Sequence, residues 1–468
     1  MWLLNTFAGI AYKKTQYAAS FIKIISIRNA WMNVMKRSLL KTYKASLLSV
    51  AVSAAFLSSN NVYAANAGDV ADQAGNVKDF LTAGEVLADF RLRYEENSDE
   101  FISQRKNATA LTLRSRIGYE TASLAGFKLL LEGEDITAVV DDYSPENNDF
   151  DPVLDPEATE WNRVQLSYEN QGFSAVLGRQ RIELDNERFI GNNDWRQNER
   201  TFDAARVGYE IDGWNLQYIY IDQVNTQLSS ELDADDHLFN ISYSGLALGK
   251  VAAYAYSLNG EEEIDNSNSV YSSDTYGAYL DGKNDSDSMS FTYRFEYAVQ
   301  TFEYNDRGDV DTDYVLAEAG LLFSGVTTKV GFEGTYGPDG FDQNNSVAFA
   351  TPYGSNHEFN GWSDKLNYVG NDGLEDVYIS VSGYAGPVKL IAVYHDYDYA
   401  DDNTSLGREL NLMAEAQVND NVTAGLKYAG FSTAEAYKIE GDPDVEDLNF
   451  EDASRDTNKF WLWVGVQF

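Results

Sequence analysis

The chain has 468 residues, with 31 Tyr, 24 Phe and 8 Trp but only 7 Pro and no Cys. Without cysteine there is no disulfide scaffold, no thiol nucleophile and no thiolate metal or iron–sulfur site. The formal net charge is −39, from 35 Lys plus Arg against 74 Asp plus Glu. That balance disfavours nucleic-acid binding, which draws most of its strength from basic contacts to phosphate.

Residues 1–34 are basic and aromatic (Lys13, Lys14, Lys23, Arg28). They match nothing that follows, and are expected to be an upstream extension ahead of a true start at Met35. From Met35 to Ala64 the chain has the three parts of a secretory signal. Lys36, Arg37, Lys41 and Lys44 form its basic region, Ala45 to Ser59 its apolar run, and Val62, Tyr63 and Ala64 a small-residue cleavage site. The apolar run falls short of the about 20 residues of a membrane-spanning helix. Removing residues 1–64, which hold eight Lys or Arg and no acid, leaves 27 basic against 74 acidic residues, a net charge of −47. Residues 65–84 are expected to be a short periplasmic segment ahead of a barrel over 85–468.

From residue 85 one pattern repeats: about ten residues of alternating apolar and polar character, then a turn. Val86, Ala88, Phe90, Leu92 and Tyr94 oppose Asp89, Arg91 and Arg93. Leu111, Leu113, Ile117 and Tyr119 oppose Thr112, Arg114 and Arg116. Met289, Phe291, Tyr293, Phe295 and Tyr297 oppose Ser290, Thr292, Arg294 and Glu296. Successive side chains of a strand point to opposite faces, so each segment has one apolar and one charged face. A soluble sandwich alternates in the same way, but three features favour a membrane barrel. Strand length suits the about 9–11 residues of a tilted bilayer crossing. Connections alternate between tight (Asp212-Gly213, Ser324-Gly325, Ala385-Gly386) and long (138–159, 183–201, 337–373, 432–456), as periplasmic turns and external loops do. The chain also ends Phe460, Leu462, Val464, Val466, Phe468, which resembles the terminal strand that the outer-membrane assembly machinery reads.

The reading is an all-β, transmembrane antiparallel β-barrel of about eighteen strands, with short periplasmic turns and long extracellular loops, in the bacterial outer membrane. Lipid and lipopolysaccharide are its surroundings. Trp214, Tyr218 and Tyr220 are candidates for the aromatic girdle, and Asp141, Asp142, Glu146, Asp149, Asp151, Asp155 and Glu157 place acid in one loop. Arg91, Arg93, Arg114, Arg116, Arg163, Arg206 and Arg294 fall on the polar parity. An arginine facing mid-membrane lipid costs about 2–4 kcal/mol, so these should line the lumen.

Two stretches are more specific than general barrel patterning. One runs Gly178-Arg179-Gln180 through Arg188, Phe189, Gly191, Trp195-Arg196-Gln197, Arg200 and Phe202-Asp203; the other is Asn356-His357, Phe359, Gly361-Trp362 and Asp364. Both resemble signatures of the alginate export family of outer-membrane porins. Tyr394-His395-Asp396-Tyr397 and the strand opening Leu406-Gly407-Arg408-Glu409-Leu410-Asn411 are similar more weakly. The resemblance covers Glu85 to Phe468. It implies a monomeric eighteen-stranded barrel that passes a polyuronate through an arginine-rich constriction shaped by inward loops. Arg179, Arg188, Arg196, Arg200, Asp203, His357, Asp364 and Arg408 would belong to that pathway. Guanidinium suits planar, bidentate recognition of carboxylates, and conduction needs entry to be favourable with exit still possible.

Each feature also has a plainer explanation. Inward arginines can form wall ladders with Glu120, Glu132, Glu134, Glu169, Glu210 and Glu296. His237, His357 and His395 show no spacing for a metal or hydrolase site, so neither an enzyme nor a cofactor is expected. Asp442, Asp444, Glu446 and Asp447 echo a calcium loop, but Asp447 stands where the loop needs Gly and Ala453 where it needs Glu. A general small-solute porin of the same fold, and a surface adhesin acting through the acidic loops, are the alternative functions.

Overall fold

The computed structural model describes residues 75–99, 105–259, 272–286, 288–304, 308–338, 348–367, 372–434 and 456–468. The proposed extension (1–34), the signal (35–64) and the acidic stretch at 442–447 lie outside the described residues. Helix α1 (Val77–Thr82) opens them, with the Asn76 side chain accepting the amides of Lys78 and Asp79, two donors that a helix start leaves without partners.

Eighteen strands follow: β1 (Glu85–Asp99), β2 (Ala108–Glu120), β3 (Phe127–Asp142), β4 (Ala158–Asn170), β5 (Phe173–Gln180), β6 (Thr201–Ile211), β7 (Trp214–Asn225), β8 (Glu231–Leu246) and β9 (Gly249–Asn259), then β10 (Ser272–Asp285), β11 (Met289–Tyr304), β12 (Gly308–Phe323), β13 (Val326–Tyr336), β14 (Leu374–Ala385), β15 (Val388–Tyr399), β16 (Ser405–Asn419), β17 (Val422–Thr433) and β18 (Thr457–Gln467). Each pairs antiparallel with the next, and β1 pairs with β18 from Asp89↔Gln467 to Asp99↔Thr457. The sheet therefore closes, and no edge is left with unpaired backbone groups in lipid. Phe468 extends the seam, exchanging backbone bonds with Ala88 at 2.9 and 3.2 Å.

Directly opposed residues share a face, so register fixes what each side chain meets. Ile117, Trp161, Leu177, Phe295, Val330 and Val377 are outward and more than half exposed, forming the lipid-facing belt. Trp214 and Tyr218 are exposed on the same face. Periplasmic connections are tight: Asp212 and Gly213 have φ of 47° and 87°, Ser324 and Gly325 of 50° and 80°. Two successive positive φ values define the type I′ turn, whose twist matches that of the flanking strands. External strand ends run past the belt, so β3 reaches Asp142 and the first long loop shortens to 143–157 rather than 138–159.

The interior is packed. Ile182, Leu184, Phe189 and Ile190 from the β5–β6 connection bury against inward Phe202, Ile219, Ile221, Tyr254 and Tyr314, together with Phe349 and Tyr353 of the β13–β14 connection. These loops fold into the barrel because their apolar residues have no other place to leave water.

Candidate pore constriction

Two loops dock as one body on the lumenal wall. Ile190 and Tyr353 form a backbone bridge between 181–200 and 348–367, with Gly191 N donating to Tyr353 O at 2.8 Å and Ser355 N to Glu187 O at 2.9 Å. Phe189 sits between Tyr254, Tyr314 and Phe349 at centroid distances of 5.4, 5.1 and 5.5 Å.

Arg188 is 5% exposed, and its guanidinium is spent on the protein. It reaches Glu333 of β13 at 2.5 Å, Thr351 at 3.2 Å, Asn356 at 3.1 Å and Asn360 at 2.8 Å. Arg200 donates to Gly191 O and Gly354 O, both at 3.2 Å, stapling one loop to the other. Their burial is tolerable because every charge has close acceptors.

A second cluster joins the loops to β17 and β18, with His357, Lys427 and Lys459 all buried. Asp364 accepts Arg196 at 2.7 Å, Lys459 of β18 at 3.0 Å and His357 Nδ1 at 2.7 Å. Lys427 of β17 donates to His357 Nε2 at 2.8 Å, so the neutral imidazole carries its proton on Nδ1 and gives it to Asp364. Burial would raise the Asp364 carboxyl, but His357, Lys459 and Arg196 hold it well below the usual carboxylate range. Burial pushes His357 well below its ordinary value, with Lys427 and Arg196 adding to the effect against Asp364. Trp195 stacks on His357 at 4.8 Å and 3°. The Lys427 ammonium lies 3.9 Å from the Trp195 ring centre and 4.0 Å from that of Trp362, a cation–π sandwich.

The far end of the β5–β6 loop rests on β1 and β2. Arg91 donates to Gln197 Oε1 at 2.8 Å, to the carbonyls of Asp194 and Trp195 at 3.2 and 3.0 Å, and to Arg196 O. Arg93 meets Trp195 O and the Asp155 carboxylate, and Arg116 meets Glu134 and, at 3.4 Å, Glu199. Arg116 and Arg181 draw Glu199 down to about 2 although burial opposes it. Asp151 and Asp155, loop acids by sequence, are each 1% exposed, because the 143–157 loop also folds inward onto this wall. A bulge between Glu132 and Gly133 turns Asn162 inward to Glu132 and Glu199 at 2.9 and 2.7 Å.

The remaining inward arginines divide by partner. Arg163 grips Glu132 with two bonds of 2.8 Å, Arg114 meets Asp89 at 2.8 Å, and Arg294 meets Glu296 at 2.7 Å. Glu132, Glu134 and Glu296 thus serve the wall ladders foreseen for them. Arg206 is half-buried and bonds to neutral Gln217 at 2.6 Å.

Three expected pathway residues face the other way. Arg179 and Asp203 oppose each other in the outward row that continues Ala175↔Val207 and Leu177↔Ala205, and they pair at 2.8 and 2.9 Å. Arg408 shares the parity of outward Leu410 and Leu412, is 63% exposed, and lies 3.3 Å from Asp396. All three stand at external strand ends above the apolar belt, where an outward charge avoids lipid. Gln180 and Glu409 are the inward members of those motifs. Lys427 and Lys459 were overlooked, although each alternates with outward neighbours and parity alone would have placed them in the lumen.

A closed eighteen-stranded barrel, with an apolar outer belt and loops folded into a charged lumen, has the architecture of an outer-membrane channel. The chain belongs to the alginate export family, which is matched over residues 85–433. No curated protein sequence is significantly similar to it. Among solved structures it resembles OccAB1 of Acinetobacter baumannii, with a TM-score of 0.62 at 11% identity over 85% of this chain and 99% of that one. OccK9 (OpdG) of Pseudomonas aeruginosa gives 0.61 at 14%, over 83% and 100%. OpdK of Pseudomonas aeruginosa, solved with vanillate, gives 0.60 at 13%, over 83% and 99%. At these identities the likeness is one of fold.

Proposed function

We propose that this channel passes anionic saccharides of the polyuronate class through the lumen beside the docked loops. One observation carries the reading: around Asp364, and at Arg91 and Arg206, inward cations outnumber the carboxylates paired with them. Arg196 and Lys459 share Asp364 with His357, while Lys427 stands next to them on a neutral imidazole. Arg91 and Arg206 bond to neutral acceptors, and neither makes an ion pair among the described residues. In a confined, low-dielectric passage such a local surplus beside the docked loops favours anions. The acidic exterior is compatible with outward release of a polyanion, which it repels.

A planar-bilayer measurement of reversal potential in a salt gradient tests the reading. Anion preference is expected in the wild type and should fall in Arg206→Ser. Cation-selective current in both would overturn it. A channel for small carboxylates is the second reading, favoured by the likeness to a barrel solved with vanillate. Liposome swelling with uronate oligomers against small aromatic acids separates the two.

A further inference from the structure

The cluster around Asp364 has the composition of a binding site rather than of a simple rivet. A rivet needs one cation for one carboxylate. Here the two Asp364 oxygens receive a guanidinium, an ammonium and an imidazole N–H, at 2.7, 3.0 and 2.7 Å. The Lys427 ammonium lies one hydrogen bond further out. Trp195 and Trp362 hold that ammonium between their rings. Several cations gathered on one carboxylate are the recognition chemistry of an anionic ligand such as a sugar acid.

The backbone that presents the carboxylate is bent for the purpose. Asn360, Gly361 and Asp364 have φ of 53°, 89° and 59°. Left-handed backbone at a non-glycine residue is uncommon and persists where surrounding contacts over-determine it, often at ligand clamps and switches. Asp364 is carried by a loop, whereas Lys427 and Lys459 are fixed on wall strands β17 and β18. The side chains of Arg196, Lys459 and Asp364 are 4%, 10% and 9% exposed. A soluble carboxylate can therefore reach the cations only where Asp364 leaves them.

We infer that Asp364 is an internal stand-in for the substrate's carboxylate: a uronate group displaces it from Arg196 and Lys459, and the 355–367 segment lifts from the wall. This rests on the anionic-saccharide reading and adds to it a position and a consequence. The passage is narrowed by a tethered competitor and widened by the class of molecule it conducts. A ligand shifts such an equilibrium only through its different affinity for the two states, and here the difference is the vacated cation site.

The test uses the wild-type barrel in nanodiscs and digalacturonate as the probe, with a neutral disaccharide at equal concentration as control. Hydrogen exchange at the amides of 355–367 should accelerate with digalacturonate alone. In planar bilayers, Asp364→Asn removes the competitor, and block by digalacturonate should tighten about tenfold or more, because a tethered group acts at an effective concentration of roughly millimolar order. Digalacturonate that blocks the wild type but leaves exchange of 355–367 unchanged or slower, or Asp364→Asn with unchanged or weaker block, overturns the inference and leaves the transport reading intact. No block in either protein, together with cation selectivity, overturns both. The exchange measurement needs no variant, so it decides the matter even where Asp364→Asn fails to assemble.

Discussion

The two walls that receive the inward loops differ in chemistry. Around β6–β12 the lumen is lined by Phe202, Ile219, Ile221, Tyr254, Tyr256 and Tyr314, and the loops lie on it through Ile182, Leu184, Phe189 and Ile190. Around β1–β4 and β16–β18 the contact is made by Arg91, Arg93, Arg116, Lys427 and Lys459. Apolar contact is non-directional and fixes where the loops sit. Charged contact is directional and fixes which carbonyls and carboxylates face the passage. One wall holds the constriction in place, and the other gives it a sign.

Substitutions on the two sides should therefore fail differently. The largest effect is expected at Arg188, which links the two loops to Glu333. Arg188→Met leaves a buried carboxylate without its partner, at a cost of about 3–5 kcal/mol. The paired loops should detach, raising single-channel conductance and hydrogen exchange across 181–200 and 348–367 together. On the apolar wall, Phe189→Leu removes roughly three buried carbons, for about 2 kcal/mol at ~0.8 per methylene. It should loosen the loops without changing ion preference, as conductance and reversal potential measured on the same channels would report.

Arg91→Gln keeps part of the hydrogen bonding but removes the charge, at a cost of about 1.5–3 kcal/mol. Anion preference should fall more than loop protection does. Ion pairing in the loop also sets an acid limit. With its folded-state pKa near 2, against an ordinary 4.5, Glu199 contributes stability that is complete above the ordinary value and lost as pH falls through about 2. Protection at 194–200 should thus persist at pH 4 and vanish near pH 2, as exchange measured after acid pulses would register. Loss of protection already at pH 5 would contradict the Glu199 pairing with Arg116 and Arg181. The smallest effect belongs to the rim. Arg408→Ser breaks a solvent-exposed, screened pair with Asp396 and should leave both conductance and selectivity unchanged.

The barrel itself was legible from alternation. The parity that set Phe90, Leu92 and Tyr94 against Arg91 and Arg93 is the parity of the closed sheet, and the positive-φ turns fall on Asp212-Gly213 and Ser324-Gly325 as composition required. Arg179, Asp203 and Arg408 were misplaced for a definite reason: a motif records which residues occur together, whereas the face each one takes depends on register. Inward loops were implied by the family resemblance alone, and their contacts were not legible in the residues. Ile182, Leu184, Phe189 and Ile190 follow no period, and their partners come from strands far along the chain. Nor could sequence announce that Asp155 is buried, since an acid in a loop reads as solvated until the Arg93 guanidinium is found beside it.

The central claim is that selectivity resides in the inward cations and not in the rim. The reversal potential across a salt gradient, measured for wild type, Arg206→Ser, Arg179→Ser and Arg408→Ser under one set of conditions, tests it most directly. Anion preference in the wild type, weakened only by Arg206→Ser, is the predicted result. A cation-selective wild type, or equal changes in the inward and outward variants, would contradict it.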